Sequence, residues 1–212
     1  MAGRQIVDVP YEHYKSLYSK SDAQEIAART GLGFDNEKGQ FEILFFGIKY
    51  YVTHPVFMIC EATCPEKKGL NGPYEEILIM RFLLEGIYAP PSDRELSYEE
   101  IPSGAVYNTQ FDGRVVRRIA GMFGKDISLL KTAMDGISGL NFEAVDGADT
   151  GYRFEFLRGY FISILVWAGD DEFPTAAQLL FSDNFKYAFT AEDLAVVGDI
   201  VASRLKRALK PT

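Results

Sequence analysis

The sequence predicts a single α+β domain over residues 1–212, in which an antiparallel or mixed sheet packs against four to six helices. Two pairs of strand-like segments, at residues 41–52 and 152–167, are each joined by a tight turn and indicate β-hairpins. Segments with apolar residues at helical spacing lie between the hairpins, and a long capped helix is expected at residues 191–208. No repeat or long linker divides the chain, so one domain is the simplest arrangement.

The first part of the chain is expected to place helices before the first hairpin. Residues 1–10 are expected to form an extended arm. Two short helices follow within residues 11–30, and Asp22 and Gly31 are suited to begin and end the second one. The segments of the hairpin at residues 41–52 are rich in aromatic and β-branched residues, which favour strands.

The region after this hairpin is expected to be irregular and then helical. Phe34 is expected to add a third strand to the hairpin, whereas residues 53–72 contain prolines and glycines and predict no regular structure. Residues 73–87 are apolar nearly all round, with Pro73 at the first position, which is typical of a buried helix. Residues 90–111 are expected to form a loop.

The second half of the chain predicts helices followed by the second hairpin. Asp112 and Asp126 are each in a position to begin a helix, and Gly124 and Gly136 are suited to end them. Residues 160–167 are almost wholly apolar, which predicts a strand buried on both faces. In the last helix, the Thr and Asp of the segment Thr-Ala-Glu-Asp form a capping box.

Composition limits the classes of function. The 47% apolar and 14% aromatic content supports a folded core. Acidic residues outnumber basic ones by 30 to 22, giving a net charge of −8, which argues against binding to nucleic acid or to an anionic membrane surface. The longest apolar run is far shorter than the ~20 residues of a membrane span. Residues 1–10 do not resemble a secretory signal, so we expect a cytoplasmic protein.

The first candidate site is the acidic run Asp170, Asp171 and Glu172, followed by Phe173, directly after the apolar strand. Three carboxylates at the end of a buried strand could bind Mg²⁺ or Ca²⁺, or supply a general acid or base. They could equally be solvated loop residues that bind nearby amides. The spacing does not match an EF-hand loop.

The second candidate is a set of His54, Cys60 and Cys64, which are chemically suited to Zn²⁺ or iron. The spacing of the two cysteines with one nearby histidine is a weak metal signal, because a fourth ligand is missing. The alternative is one buried cysteine and one loop cysteine. The sequence therefore assigns no metal site, and it identifies no cofactor.

The third candidate is a group of arginines. Arg114, Arg117 and Arg118 share one side of a helix. Arg114 could bind a phosphate or carboxylate at the helix start, with Arg158 from the second hairpin turn as a companion. A solvated helix face explains the same spacing. A further set of aromatic side chains could line a pocket for a flat ligand, although most are expected in the core: Tyr50, Tyr51, Tyr107, Tyr152, Tyr160, Phe173 and Tyr187.

The stretch around the acidic run also resembles a known family. It contains Asp-Asp-Glu-Phe-Pro at residues 170–174, Leu-Leu-Phe at residues 179–181 and Thr-Ala-Glu-Asp-Leu-Ala-Val-Val-Gly at residues 190–198. These segments resemble "domain of unknown function 3786", a family of anaerobic bacteria and archaea. Relatives often carry His-Tyr where this chain has Lys186-Tyr187. The resemblance implies a setting in anaerobic corrinoid or iron–sulfur metabolism, although this chain lacks the cysteine cluster of some relatives.

Together these features favour a nonenzymatic binding or accessory domain that recognises a protein partner or small ligand near residues 170–174. Signatures of serine hydrolases, phosphate-binding loops and dinucleotide-binding loops are absent from the sequence. One alternative is a metal-dependent enzyme such as a hydrolase that uses the acidic cluster. Another is a metal or redox module based on the two cysteines. The sequence does not specify the oligomeric state.

Overall fold

The computed structural model describes residues 2–209, with the side chains of residues 2–8 and of Lys68 left undescribed. The chain divides into two compact units. The first unit extends to Ala89 and adds Tyr187–Phe189, and the second contains Pro90–Lys186 and the chain from Thr190 onward. That the two units form one domain, as the sequence predicts, stays a prediction.

The first unit combines helices with an antiparallel meander. Its helices are α1 (Ala2–Lys20), α2 (Ala23–Thr30) and α3 (Pro73–Glu85), and α1 packs along α3. Its strands pair in chain order, each with the next: β1 (Phe34–Asp35), β2 (Gln40–Phe45), β3 (Ile48–Thr53), β4 (Ile59–Glu61) and β5 (Cys64–Lys68). The first predicted hairpin is therefore confirmed as β2–β3, and Phe34 lies in the additional strand β1.

Local sequence signals explain several boundaries in this unit. The Asp22 carboxylate accepts hydrogen bonds from the amides of Gln24 and Glu25 at the start of α2. Gly31 ends α2 in the left-handed conformation, with φ of 68°. Phe46 and Gly47 both have positive φ, as a two-residue hairpin turn between β2 and β3 requires.

Two expectations for the first unit are wrong. Residues 2–10, expected as an extended arm, belong to α1, and Pro10 lies inside that helix. Proline has a helical φ, but inside a helix it removes one hydrogen bond and its ring crowds the carbonyl four residues earlier, which is why the sequence argued against a helix here. Residues 53–72, expected to be irregular, contain the hairpin β4–β5. Pro65 is tolerated there because β5 pairs with β4 alone and proline fits an edge strand.

The second unit is built on antiparallel strands that pair in the order β7–β8–β9–β10–β6. The strands are β6 (Glu95–Ser97), β7 (Phe142–Ala144), β8 (Thr150–Leu157), β9 (Tyr160–Trp167) and β10 (Ala176–Ser182). β8 and β9 form the second predicted hairpin, and residues Ile162 to Val166 of β9 are all buried, as predicted for this strand.

Helices pack against this sheet and against each other. The unit contains α4 (Gly104–Phe111), a π-helical segment (Asp112–Val116), α5 (Arg117–Phe123), α6 (Ser128–Asp135) and α8 (Ala191–Ala208). A short helix α7 (Phe185–Ala188) precedes α8 in the chain. Helix α5 contacts β9 and β10, and α8 contacts α4, α5 and α6. The predicted capped helix at residues 191–208 is confirmed, including the capping box of Thr190 and Asp193.

The α+β fold class is thus confirmed, with antiparallel strands and helices in both units. Two local expectations in the second unit are wrong. Residues 90–111 contain β6 and α4 rather than only a loop. Asp112 does not begin a helix, because its φ and ψ of −54° and −51° lie inside a helical run that starts at Gly104. Helix α4 buries only Gly104 and Phe111, so it has no apolar stripe to reveal it.

Among the described residues, every helix is too short or too polar to span a membrane.

Candidate functional site

The acidic turn lies between β9 and β10, and all of its side chains are exposed. The Asp170 carboxylate accepts hydrogen bonds from the amides of Glu172 and Phe173, at 2.8 and 2.7 Å. The Asp170 amide in turn donates to the carbonyl of Phe173 at 2.9 Å. The hydrogen bonds from these amides hold the pKa of Asp170 below its ordinary value, and the bond from the Phe173 amide has the largest effect. Asp170 therefore closes its own turn.

The backbone before the turn is held against the end of α5. The Gly169 amide donates to the Gly124 carbonyl at 3.3 Å, and a Cβ on Gly124 would lie 2.3 Å from the Cβ of Thr175. The Ala168 amide donates to the Asp149 carboxylate at 2.8 Å. Phe173 itself is 67% exposed. The turn consequently presents an aromatic side chain to solvent from a fixed backbone.

The three cysteine and histidine candidates do not assemble into a ligand set. Nε2 of His54 lies 3.0 Å from the carbonyl oxygen of Ser21, and its ring is edge-on to Tyr18. Cys60 lies on β4 and Cys64 begins β5, and both are free thiols. Among the side chains that the structure describes, no three of His, Cys, Asp or Glu are grouped so that they could hold a metal ion. This finding covers the acidic turn as well.

Each of the three helical arginines is partnered by a different residue. Arg114 forms an ion pair with Asp199 of α8, Arg117 with Asp112 at 2.7 Å, and Arg118 donates to Ser203. Asp112 lies within a continuous helical run, so the helix start expected there is wrong, whereas anion binding by Arg114 stays a prediction. Arg158 lies exposed in the β8–β9 turn. The length of β9, roughly 25 Å at ~3.3 Å per residue, separates it from the acidic turn.

The structure places a different feature around Arg114. A cavity of about 280 Å³, which we call the α4–α8 cavity, lies between the helical run from α4 to the π-helical segment and the first turns of α8. Its lining residues all belong to the second unit: Tyr98, Tyr107, Gln110, Phe111, Arg114, Val115, Glu192, Ala195 and Val196. None of the residues of the acidic turn is among them.

Buried aromatic side chains build the inner wall of this cavity. The rings of Tyr98 and Phe111 stack nearly parallel, with 3.9 Å between their centroids. The Tyr98 hydroxyl donates to the carbonyl of Ala191 at 2.9 Å, which fixes the start of α8 against this wall. A Cβ on Gly198 would lie 2.8 Å from Phe111 and 2.9 Å from Val115. Glycine at this position therefore lets α8 approach the π-helical segment closely.

The rim of the cavity is polar and carries both signs of charge. Tyr107, Gln110, Arg114 and Glu192 are all exposed. Burial, followed by the charge of Glu192 and the hydroxyl of Tyr107, raises the pKa of Tyr98, whereas Arg114 acts in the opposite direction.

A π-helical segment forms one side of the cavity. The Arg117 amide bonds to the carbonyl of Asp112, five residues earlier, instead of the usual four. Such segments are rare and occur frequently at functional sites. Here the segment carries Arg114 and Val115, which contribute a charged rim residue and a buried wall residue.

Sequence reasoning identified Arg114 and Tyr107 of this cavity and missed its other lining residues. A signal for part of it was present, because Glu192, Ala195 and Val196 lie in the segment at residues 190–198 that carries the family resemblance. The wall formed by Tyr98 and Phe111 has no sequence pattern of its own. It arises because the 3₁₀ helix Tyr98–Glu100 and the end of α4 bring two rings together in a stack.

The fold and this cavity define an α+β protein with a small, largely apolar cavity. The model of the family described as "Domain of unknown function (DUF3786)" matches residues 22–204, so the chain belongs to that family. The match includes every residue that lines the cavity and the acidic turn. No curated protein and no solved structure matches the chain.

Proposed function

We propose that this protein is a binding domain whose small-molecule ligand occupies the α4–α8 cavity. The observation that carries this proposal is the combination of a buried aromatic wall with a charged and polar rim in one compact unit. Such a combination is typical of ligand sites, where apolar surface supplies affinity and a few polar groups fix orientation. The volume lies at the small end of the ~300–1,000 Å³ range of ligand pockets, so the ligand is small.

A fragment screen monitored by amide NMR spectra tests this proposal. We expect binding fragments to shift the amide signals of Tyr107, Arg114, Ala195 and Val196. Ala195→Leu places extra methyl groups in the lining and should abolish these shifts. Ala168→Leu adds the same atoms at an exposed alanine outside the lining and should leave them unchanged. Fragments that bind only elsewhere, or that bind Ala195→Leu equally well, would contradict the proposal.

A second candidate function is recognition of a protein partner through residues 170–174. The specific observation in its favour is Phe173, which is 67% exposed on a turn that Asp170 holds in place. Exposed aromatic side chains on fixed backbone are common anchors of interfaces. The acids Asp171 and Glu172 beside Phe173 suit a basic partner surface.

Affinity purification with quantitative mass spectrometry tests this second candidate. A partner that binds through the turn should be lost with Phe173→Ser and retained with Val56→Ser, which removes an equally exposed side chain from the first unit. Partners that respond to both variants or to neither would argue against the turn as an interface.

The other functional expectations stay predictions. These are a link to anaerobic corrinoid or iron–sulfur metabolism, the cytoplasmic location, the metal-dependent hydrolase alternative and the cysteine-based module. Among the described side chains, no three of His, Cys, Asp or Glu are grouped so that they could hold a metal ion.

A further inference from the structure

We propose that the α4–α8 cavity selects a small organic cation, namely an ammonium group attached to an apolar body. This inference rests on the proposed function, because it assigns a ligand class to the same cavity. Three observations support it. Of the two charged rim residues, only Arg114 has an ion-pair partner in the described chain. The rest of the lining is largely apolar, and the whole chain has a negative net charge.

The two charged rim residues differ in their partners. Arg114 is paired with Asp199, a residue outside the lining, so its charge is already compensated by the protein. Glu192 forms no ion pair or hydrogen bond through its carboxylate with any other residue of the described chain. An uncompensated carboxylate at the mouth of a cavity attracts a cation and provides strong hydrogen-bond acceptors for an ammonium group.

The electrostatics inside the cavity agree with this assignment. Burial is the main cause that raises the pKa of Tyr98, and the charge of Glu192 raises it further, whereas Arg114 lowers it. The chain also carries a net charge of −8, which favours the approach of cations over anions from solution.

The remaining lining suits an apolar ligand body. Val115 is buried, and Ala195 and Val196 are half-buried on the facing side of the cavity. Tyr107 is 43% exposed at the rim, where its ring can lie beside an ammonium group. Aromatic faces attract such cations, and the apolar walls add the burial of hydrocarbon.

The charges at the rim disfavour an anionic ligand. It would have to compete with Asp199 for Arg114, and it would lie close to the unneutralised carboxylate of Glu192. Like charges at this range disfavour binding, so the same cavity discriminates against carboxylates and phosphates.

The test uses three probes that share one phenyl group and differ in charge: 2-phenylethylammonium, 2-phenylethanol and phenylacetate. A fourth probe, Nα-acetyl-lysine methylamide, represents the side chain of a protein lysine. Binding is measured on the full chain by amide NMR titration at two ionic strengths. The variants are Glu192→Gln and, as a charge-matched control outside the cavity, Glu172→Gln.

We expect the ammonium probe to bind most tightly among the phenyl probes and to shift the cavity amides. Glu192→Gln should weaken it by about tenfold or more, as for loss of a hydrogen bond to a charged group. Glu172→Gln should change its affinity by less than about twofold, since exposed charges at a distance are screened. Tighter binding of the lysine probe would identify a protein side chain as the natural source of the ammonium group, and tighter binding of 2-phenylethylammonium a free amine.

Other outcomes overturn the inference in distinguishable ways. Preferential binding of phenylacetate that is lost with Arg114→Gln would overturn the ligand class and leave the binding function standing. Equal binding of the ammonium and alcohol probes, with no effect of Glu192→Gln, would do the same. If none of the probes shifts the cavity amides and the fragment screen also finds no ligand, the proposed function fails together with this inference.

Discussion

The acidic turn and the α4–α8 cavity lie in the same unit, and they use their charged side chains in different ways. In the turn, Asp170 binds the amides that follow it in the chain, and its neighbours are exposed to solvent. In the cavity, charges from distant parts of the chain meet above an apolar wall. A run of acids in a sequence therefore identifies a turn, whereas a binding cavity depends on which helices pack together.

Each of the two regions also contains one closely packed glycine. Gly124 lies at the end of α5 against Thr175, which follows the acidic turn, and Gly198 lies on α8 against the cavity wall. A Cβ at either position would require neighbouring atoms to move. Neither glycine has a positive φ, so the close contacts alone disfavour a side chain. Each region consequently has one residue whose enlargement should disturb it selectively.

The largest expected effect is that of Gly124→Ala. The new Cβ would lie 2.3 Å from the Cβ of Thr175 and 2.8 Å from the carbonyl of Ala120, so the contact between α5 and the turn must open. Overpacking of this kind costs about 1–3 kcal/mol of unfolding free energy. Urea denaturation measures this cost, and the amide signals of residues 168–175 should move while those of the cavity stay in place.

Gly121→Ala is the matched control for this substitution. Gly121 lies within α5, and a Cβ there would meet nothing within 4 Å. Alanine favours a helix over glycine by up to ~1 kcal/mol, so this variant should be as stable as the parent or more stable. Equal destabilisation by both variants would show that the close contact between Gly124 and Thr175 does not cause the loss of stability.

A comparable effect on the cavity is expected from Gly198→Ala. The added Cβ would lie 2.8 Å from the Phe111 ring and 2.9 Å from Val115, both of which are buried. We expect a loss of about 1–2 kcal/mol, because the end of a ring can shift more readily than backbone. The signals of Tyr98 and Tyr107 should change with it, and those of residues 170–174 should not. Unchanged ring signals would contradict the close contact of α8 with the cavity wall.

A smaller effect is expected when the cavity wall loses one hydrogen bond. Tyr98→Phe keeps the ring that stacks on Phe111 and removes the hydroxyl that donates to Ala191 at 2.9 Å. A buried bond of this type contributes about 1 kcal/mol to the free energy of unfolding. Urea denaturation at neutral pH measures the loss, and Tyr107→Phe, which alters an exposed ring, is the control. Equal stability of Tyr98→Phe and the parent would show that the bond is not needed to fix α8.

The sequence predicted those parts of the fold that depend on neighbours in the chain. The hairpin turn at Phe46 and Gly47, the cap at Asp22 and the capping box of Thr190 and Asp193 are each specified within a few residues. The amphipathic pattern of α8 likewise needs no knowledge of its partners. These elements were therefore predicted with nearly correct bounds.

The parts that the sequence did not predict depend on contacts between distant residues. Helix α4 has exposed Val106 and Tyr107 and lacks an apolar stripe, so only its packing beside α8 explains it. The π-helical segment carries no residue pattern that distinguishes it from an ordinary helix. The cavity depends on both, which explains why sequence reasoning identified Arg114 but assigned it to a helix start.

The acidic turn should also respond to pH through Asp170. Its pKa is lowered in the folded protein, so its carboxylate contributes stability above the ordinary pKa of 3.8 and this contribution is lost as the pH falls further. Asp170→Asn can keep the acceptor for the two amides but removes the titration. We expect the parent to lose more stability between pH 5 and about pH 2 than Asp170→Asn. Asp171→Asn, which alters the adjacent acid, should follow the parent curve.

The smallest effect on stability is expected from reversing the charges that remain free in the turn. Asp171 and Glu172 are exposed and make no side-chain hydrogen bond or ion pair with another residue of the described chain. Surface substitutions of this kind usually change the free energy of unfolding by within about 0.5 kcal/mol. The double variant Asp171→Lys with Glu172→Lys should therefore have the same melting temperature as the parent. It should bind cavity ligands with little change. It should lose any protein partner that binds through Phe173. A clear fall in melting temperature would mean that these acids support the turn as Asp170 does, and a loss of cavity binding would mean that the two regions are coupled.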